Sequence, residues 1–263
     1  MANVRQEKKY LIVISGPTAV GKTSLTFKLS KHFECPVISA DSRQVYKEMN
    51  IGTAKPSAQE ISASMMKLVD HISIQDEYNA GIFEKEADAI IRNIFEDNQF
   101  CILSGGTGLY IKAVCEGLNT FPDVPKHIIA ELTADLNKYG IQSLRDELKT
   151  KDPSYHEIVD TNNPHRLIRA LSICRHTGKT FSSFLNGNKK KHEYKIIKIV
   201  LERDREELYD IINQRVLDMI DEGLTKEVRT LYPHRLLKAL QTVGYKELFQ
   251  HFDGILRLEE AIN

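Results

Sequence analysis

Apolar and polar positions alternate along the first 120 residues in the manner of an α/β protein. Short apolar runs predict strands near 10–15, 36–40, 68–74 and 100–104. Segments with apolar residues at helical spacing predict helices near 22–32, 57–66, 80–97 and 107–116. Strands that alternate with helices are typical of a parallel sheet with helices packed against it.

This pattern breaks at Pro122 and Pro125, and the sequence is then helical to about residue 188. An apolar run at 195–201 predicts a strand that rejoins the sheet, and a helix from about 205 to 222 follows. We therefore predict a parallel α/β core of residues 1–120 and 193–263, with a helical insertion of residues 121–192.

The composition is that of an ordinary globular protein, with 41% apolar and 27% charged residues. No run reaches the ~20 apolar residues that a membrane helix needs, and residues 1–9 lack the core of a signal peptide. The four cysteines, which show no C-x-x-C spacing, are Cys35, Cys101, Cys115 and Cys174. We expect buried thiols in a reducing compartment, and hence a cytoplasmic protein. We also expect a monomer.

Basic residues are concentrated between Thr161 and Lys198, although the formal net charge of the chain is +0. Nine basic residues and one acid, Glu193, give this segment a charge of +8. The nine are Arg166, Arg169, Arg175, Lys179, Lys189, Lys190, Lys191, Lys195 and Lys198. Such a block predicts a surface for a polyanion, and the alternative is a solvated loop and helix face.

A phosphate-binding loop of the form G-x-x-x-x-G-K-[ST] lies between the first predicted strand and helix. Its residues are Gly16, Pro17, Thr18, Ala19, Val20, Gly21, Lys22 and Thr23. Backbone N–H groups at the start of a helix bind anions. Lys22 adds a positive charge, and the Thr23 hydroxyl is a typical ligand of Mg²⁺. The loop predicts a P-loop NTPase-like core that binds a di- or triphosphate with Mg²⁺.

Asp41 follows the second predicted strand, so we expect it at the same sheet edge as the phosphate loop. It could act as a general base, as an outer ligand of Mg²⁺, or as a cap for the next turn. The strand at 100–104 runs into Gly105 and Gly106 instead of the metal-binding Asp usual in ATP-hydrolysing proteins. The paired glycines indicate a ligand close to the backbone, a tight turn, or both.

These features point to a known family: nearly the whole sequence resembles the tRNA dimethylallyltransferase family. The matching segments beyond the phosphate loop are 41–47, 51–56, 105–110, 163–171, 177–179, 212–216, 223–228 and 241–247. The order of loop, D-S-R-Q-V-Y-K, I-G-T-A-K-P and G-G-T-G-L-Y is far more specific than the loop alone.

The resemblance implies transfer of a dimethylallyl group from dimethylallyl diphosphate to tRNA, with release of diphosphate. The acceptor is the N6 amine of the adenosine 3′-adjacent to the anticodon, in tRNAs that read codons starting with U. The loop would hold the diphosphate, and the insertion would bind the anticodon stem-loop. The implied catalytic residues are Asp41 as base, with Lys22, Thr23 and Arg215 at the diphosphate. The implied tRNA contacts are Asp41, Ser42, Arg43, Gln44, Thr107, His165, Arg166, Leu167, Ile168 and Arg169.

Three features depart from the family pattern. Asn50 stands where the family usually has Asp, the run from Met66 to His71 differs, and the family usually continues well beyond Asn263. Lys55 could contact phosphate or be solvated.

Tyr46 and Tyr110 could stack on RNA or belong to the core. The alternative functions are an adenine-nucleotide (AMP/ATP) isopentenyltransferase, a P-loop small-molecule kinase and a non-catalytic RNA-binding module. A small-molecule substrate would not need the large basic insertion.

Overall fold

A computed structural model of the protein describes residues 8–185 and 190–262, so Lys189 of the basic segment lies outside the described residues. The strands are β1 (Tyr10–Ser15), β2 (Val37–Ser39), β3 (Phe100–Ser104) and β4 (Lys195–Val200). The helices are α1 (Lys22–Phe33), α2 (Ala58–Ala63), α3 (Ala80–Asp97), α4 (Gly108–Glu116), α5 (Lys126–Tyr139), α6 (Ile141–Lys151), α7 (Pro153–Ile158), α8 (Pro164–Thr177), α9 (Arg205–Asp221), α10 (Leu224–Leu231), α11 (Tyr245–Phe252) and α12 (Leu258–Ile262).

The chain forms two compact units. The first comprises Met1–Glu116 and Lys191–Asn263 and contains the sheet, and the second comprises Gly117–Lys190 and contains α5 to α8. The predicted insertion, 121–192, overlaps the second unit. Its assignment to RNA binding remains a prediction.

The sheet of the first unit has the strand order β2-β3-β1-β4, and every neighbouring pair is parallel. β1 pairs with β3 on one side, with Val13 opposite Leu103, and with β4 on the other side. This arrangement confirms the α/β class. All four strands point the same way, so their carboxyl ends share one edge of the sheet.

Side chains of β1 alternate between two apolar clusters, as the period of two in a strand requires. Leu11 and Val13 pack in a cluster with Phe83 of α3 and Val114 of α4. Ile12 and Ile14 belong to a second cluster, which has the partly buried apolar residues of α1 against it. The sheet is therefore covered on both faces, and its loops at the carboxyl edge are left to form a site.

The predicted strand at 68–74 is wrong. Leu68 and Asp70 have φ angles of 58° and 52°, in the left-handed region, which interrupts extended backbone. Lys67 and Ile72 form only isolated bridges there. The helix predicted at 57–66 is shorter, because α2 ends at Ala63.

All four cysteines are buried free thiols. Burial raises the pKa of Cys35 to about 11, so this thiol is protonated at neutral pH. Across the described residues, we find no helix with both the length and the apolar character to span a bilayer.

Gly105 is required where β2 and β3 end. A Cβ on this residue would lie 2.2 Å from the carbonyl oxygen of Ala40, whereas a Cβ on Gly106 would meet nothing within 4 Å. We therefore expect Gly105→Ala to lower the free energy of unfolding by about 2–3 kcal/mol, because the backbone of Ala40 must shift.

Gly106→Ala is the matched control and should change the free energy of unfolding by no more than about 0.5 kcal/mol. Urea denaturation of the three proteins measures the difference. Equal stabilities for the two variants would contradict the close approach of Gly105 and Ala40.

Candidate active site

The phosphate loop connects β1 to α1 in a tight backbone conformation. Ala19 and Gly21 have φ angles of 64° and 104°, and the buried Val20 lies between them. A backbone that alternates between right-handed and left-handed conformations is typical of anion-binding nests. Gly16 approaches Leu201, the residue after β4, so closely that a Cβ would lie 2.6 Å from its carbonyl oxygen. The sheet thus anchors one end of the loop, and α1 anchors the other.

Lys22 and Thr23 begin α1 directly after the loop. The Lys22 Nζ donates hydrogen bonds to the carbonyl oxygens of Gly16, at 3.0 Å, and Pro17, at 2.6 Å. This places the ammonium group over the loop. The Thr23 side chain is exposed in the first turn of the helix, so its hydroxyl can bind an external ligand.

Asp41 lies at the carboxyl end of β2 and caps the turn that follows. Its Oδ1 accepts hydrogen bonds from the backbone N–H groups of Arg43, at 2.8 Å, and Gln44, at 3.3 Å. The capping alternative from the sequence is therefore realised at one oxygen. Because both of these bonds use Oδ1, Oδ2 is the oxygen that can accept a proton from a substrate.

Lys22, Asp41 and Arg215 form one electrostatic group. Arg215 is a half-buried residue of α9. Partial burial lowers the pKa of Lys22, the nearby Arg215 lowers it further, and Asp41 opposes both. Partial burial also lowers the pKa of Arg215, and Asp41 again opposes the shift. The structure therefore brings together three of the four predicted catalytic side chains, with Thr23 adjacent to Lys22.

Ser42 and Thr107 link the turn after β2 to the turn after β3. The Thr107 Oγ1 accepts a hydrogen bond from the backbone N–H of Ser42, at 2.9 Å, and donates to the Ser42 Oγ, at 3.2 Å. The backbone N–H of Thr107 donates to the carbonyl oxygen of Ala40, at 3.1 Å. Two hydroxyl groups are thus held next to Asp41 at the sheet edge.

Comparison with known proteins identifies the family of this chain. The family profile described as IPP transferase matches residues 44–263. A tRNA dimethylallyltransferase of Christiangramia forsetii is 52% identical over 254 residues, which cover 97% of this chain and 84% of the relative. The chain belongs to the IPP transferase family. This confirms the resemblance found in the motifs.

Solved structures of IPP transferase relatives show the same fold. The full-length tRNA isopentenylpyrophosphate transferase of Bacillus halodurans is 38% identical, with a TM-score of 0.69 over 97% of this chain and 81% of that protein. A eukaryotic dimethylallyltransferase acting on tRNA is 26% identical, with a TM-score of 0.79 over 97% of this chain and 65% of that protein. Among relatives compared by sequence, a tRNA dimethylallyltransferase of Flavobacterium johnsoniae is 46% identical over 260 residues, which cover 97% of this chain and 84% of that protein.

Arg43 and Gln44, which we predicted as tRNA contacts, are engaged with protein backbone in this IPP transferase. The Arg43 Nη1 donates to the carbonyl oxygen of Ala239, at 2.8 Å. The Gln44 Nε2 donates to the carbonyl oxygens of Thr53, at 3.1 Å, and Ala54, at 3.2 Å. These side chains hold distant segments around the Asp41 turn, and an RNA contact would have to use their remaining polar atoms.

Lys55 is not solvated, which corrects one of the two sequence alternatives, and its ammonium group is occupied by acceptors of the protein itself. Its side chain is only 6% exposed, and its Nζ donates to the Tyr46 carbonyl oxygen, Asn50 Oδ1 and Asp70 Oδ1 at 2.7–3.0 Å. Asn50 therefore provides a neutral acceptor where the family usually has a carboxylate, and Asp70 provides the charge. Tyr46 and Tyr110 are buried core residues.

In the second unit, the predicted RNA-contacting residues 165–169 lie on α8, where some are exposed and others face the core. His165, Arg166 and Arg169 are exposed. Leu167 is 0% exposed, and the partly buried Ile168 packs against the same apolar cluster. The helical period turns the side chain of Leu167 into the core, and a tRNA contact at this residue remains a prediction.

The basic segment is divided between the two units. Arg175 forms ion pairs with Asp135, at 2.9 Å, and Glu147, at 2.6 Å, so its charge is neutralised within the second unit. Lys195 and Lys198 lie on β4 in the first unit. The +8 charge of the sequence is thus divided between two units and reduced by ion pairs.

The residues present fit a magnesium ion that a diphosphate carries. Among the described residues, no three His, Cys, Asp or Glu side chains are grouped in a way that could hold a metal alone. Mg²⁺ binds through few protein oxygens together with waters and substrate phosphates, and in P-loop proteins one of these oxygens is the Ser or Thr hydroxyl of the loop. The exposed Thr23 hydroxyl beside the loop is such an oxygen.

The electrostatic group predicts two opposite changes in the pKa of Lys22. Asp41→Asn should lower this pKa, because the carboxylate stabilises the charged ammonium group. Arg215→Gln should raise it, because a neighbouring positive charge is removed. NMR titration of protein with ¹³C-labelled lysine measures both shifts. Asp210→Asn, an exposed position on the same helix as Arg215, is the control. Shifts of the same sign in the two test variants would contradict this arrangement.

Proposed function

We propose that this chain transfers a dimethylallyl group from dimethylallyl diphosphate to the N6 amine of the adenosine 3′-adjacent to the anticodon in tRNA. The observation that carries the proposal is the position of Asp41 at the sheet edge that bears the anion-binding loop, with Oδ1 held by backbone N–H groups and with Lys22 and Arg215 near enough to feel its charge. Membership in a family whose named relatives are tRNA dimethylallyltransferases supports the same reaction.

Asp41 is the general base of this mechanism. The exocyclic amine of adenine is a weak nucleophile, because its lone pair is delocalised into the ring. Removal of a proton as the new C–N bond forms makes the attack possible. Oδ2 of Asp41 accepts that proton, while the hydrogen bonds from Arg43 and Gln44 hold Oδ1 in place.

The loop and the two cations stabilise the departing diphosphate. Negative charge grows on the diphosphate oxygen that was bonded to the allylic carbon as this C–O bond breaks. Preorganised positive groups lower the energy of that state. The loop amides, Lys22 and Arg215 act on this charge. Thr23 would hold Mg²⁺, which neutralises part of the diphosphate charge when bound.

The second unit binds the anticodon stem-loop through the exposed residues of α8. His165, Arg166 and Arg169 present polar and positive groups on one helix face. The target adenine must leave its stack to reach Asp41, as in other base-modifying enzymes. In this proposal Ser42 and Thr107 contact its edge.

The reaction takes place in the cytoplasm, where the buried free thiols remain reduced. In this proposal the enzyme acts as a monomer.

Transfer of label from radioactive dimethylallyl diphosphate tests the proposal. The acceptors are an unmodified anticodon stem-loop with consecutive adenosines, AMP and ATP, each with Mg²⁺. We expect label in the RNA alone. Label on AMP or ATP would favour the nucleotide-prenylating alternative. Absence of transfer to any acceptor would contradict the proposal.

In the same assay, Asp41→Ala should lower turnover by roughly two to four orders of magnitude, the usual contribution of a general base. Binding of the stem-loop should persist, because the phosphate contacts lie elsewhere. Asp210→Ala, an exposed aspartate of α9, serves as the control. Near-normal turnover of Asp41→Ala would remove this residue from the mechanism.

RNA binding by α8 predicts a change in salt dependence. Each lost phosphate contact should reduce the slope of log binding constant against log salt by about 1. We therefore expect a smaller slope for Arg166→Gln and for Arg169→Gln than for the unaltered protein. Lys149→Gln, an exposed lysine of α6, is the control. An unchanged slope in both arginine variants would place the RNA on another surface.

A further inference from the structure

Glu227 of α10 accepts three hydrogen bonds from the backbone of a distant loop and a fourth from the side chain of Tyr245. Its Oε2 accepts from the N–H groups of Asn50, at 3.1 Å, and Ile51, at 2.8 Å. Its Oε1 accepts from the N–H of Gly52, at 3.2 Å, and from the hydroxyl of Tyr245, at 2.6 Å. All four donors lie outside α10, so the carboxylate does not serve its own helix.

The loop that Glu227 binds starts a 3₁₀ turn, Ile51–Thr53. Consecutive N–H groups at the start of such a turn favour a carboxylate, and hydrogen bonds to a charged acceptor are stronger than neutral ones. Tyr245 is fully buried, and a Cβ on Gly52 would lie 2.6 Å from its ring. The ring thus fills the space beside the turn. Burial and the bond to Glu227 raise the pKa of Tyr245, so it stays a donor.

The far end of the same turn reaches the candidate active site. The carbonyl oxygens of Thr53 and Ala54 accept from the Gln44 side chain. The backbone N–H of Gln44 in turn donates to Asp41 Oδ1. A continuous set of hydrogen bonds therefore runs from Glu227 through the 3₁₀ turn and Gln44 to Asp41.

We propose that Glu227, held by Tyr245, is a positioning residue that fixes the turn of Asp41 and Gln44 for proton transfer. This inference rests on the proposed function only for the role of Asp41. Glu227 acts through the backbone and contacts no substrate. Its loss should therefore affect the acceptor side of the site and leave the phosphate loop, which packs against Leu201, unchanged.

A neighbouring glutamate provides a matched control. Glu247 is also a half-buried carboxylate, and its Oε2 accepts a 2.7 Å hydrogen bond from the N–H of Gly244. That bond caps the start of α11 itself and does not reach the 50–54 loop. Glu247→Gln therefore removes a capping charge and leaves every partner of Glu227 present, so we expect the Asp41 turn to keep its position.

The experiment compares Glu227→Gln, Tyr245→Phe and Glu247→Gln in the full chain. It measures kcat and KM for the stem-loop, the Kd for inorganic diphosphate, the Tm, and amide hydrogen exchange. For Glu227→Gln we expect kcat to fall about 10- to 100-fold, as small misplacements of a catalytic group cause. Exchange should accelerate across residues 41–54. The Kd for diphosphate should stay within about twofold, because the phosphate loop does not depend on this contact.

Tyr245→Phe keeps the buried ring and removes one donor, so kcat should fall only a few-fold with the same pattern of exchange. Glu247→Gln should lower Tm without the fall in kcat. Unchanged exchange at 41–44 in Glu227→Gln would overturn the inference, as would equal losses of kcat in Glu227→Gln and Glu247→Gln. If the unaltered protein does not prenylate RNA, the proposed function fails. Amide hydrogen exchange and the Kd for diphosphate then still decide whether Glu227 fixes this turn.

Discussion

The close approach of Gly105 to Ala40 determines where the parts of the site lie. With no side chain at 105, the ends of β2 and β3 meet, and the backbone N–H of Ala40 donates to the Ser104 carbonyl oxygen at 2.7 Å. The N–H of Gly105 donates to the carbonyl oxygen of Ile14 at 3.2 Å, which ties β1 to the same point. The phosphate loop, the Asp41 turn and the Thr107 turn all leave from these three strand ends. A larger residue at 105 would separate the diphosphate side from the acceptor side.

The charges at this edge suit a reaction in which negative charge moves onto a leaving group. Lys22 and Arg215 lie near one carboxylate, Asp41, and partial burial lowers the pKa of both cations. Asp41 opposes this effect by favouring their charged forms. The same carboxylate would thus serve two purposes: to accept the proton of the amine and to keep the cations charged. Two positive groups and one negative group leave an excess of positive charge, which favours an anionic substrate.

Sequence patterns could predict the parts of the fold that depend on local spacing. β1 and β3 have the predicted bounds because each is an apolar run, and the motif residues lie together because parallel strands share an edge. The strand at 68–74 failed because positive φ at Leu68 and Asp70 is not apparent from an apolar run. Lys55 was misread because its partner, Asp70, is brought to it by the fold. The family resemblance included residues 223–228 and 241–247, but spacing alone gave Glu227 and Tyr245 no role.

The two sides of the site are supported by different parts of the core. The strand that precedes the phosphate loop packs with α1 in one apolar cluster, whereas Val45, Met49 and Tyr245 belong to a separate cluster with α10 and α11. Glu227 meets Asn50 across 177 positions of sequence, and Arg43 meets Ala239 across 196. The Asp41 turn is therefore held in place by contacts with residues far along the chain, on α10 and before α11. Because local stability follows the cluster to which a segment belongs, the acceptor side can loosen while the diphosphate side keeps its shape. A positioning carboxylate on α10 is most useful at this junction, where it couples the base to the apolar cluster that includes α10 and α11.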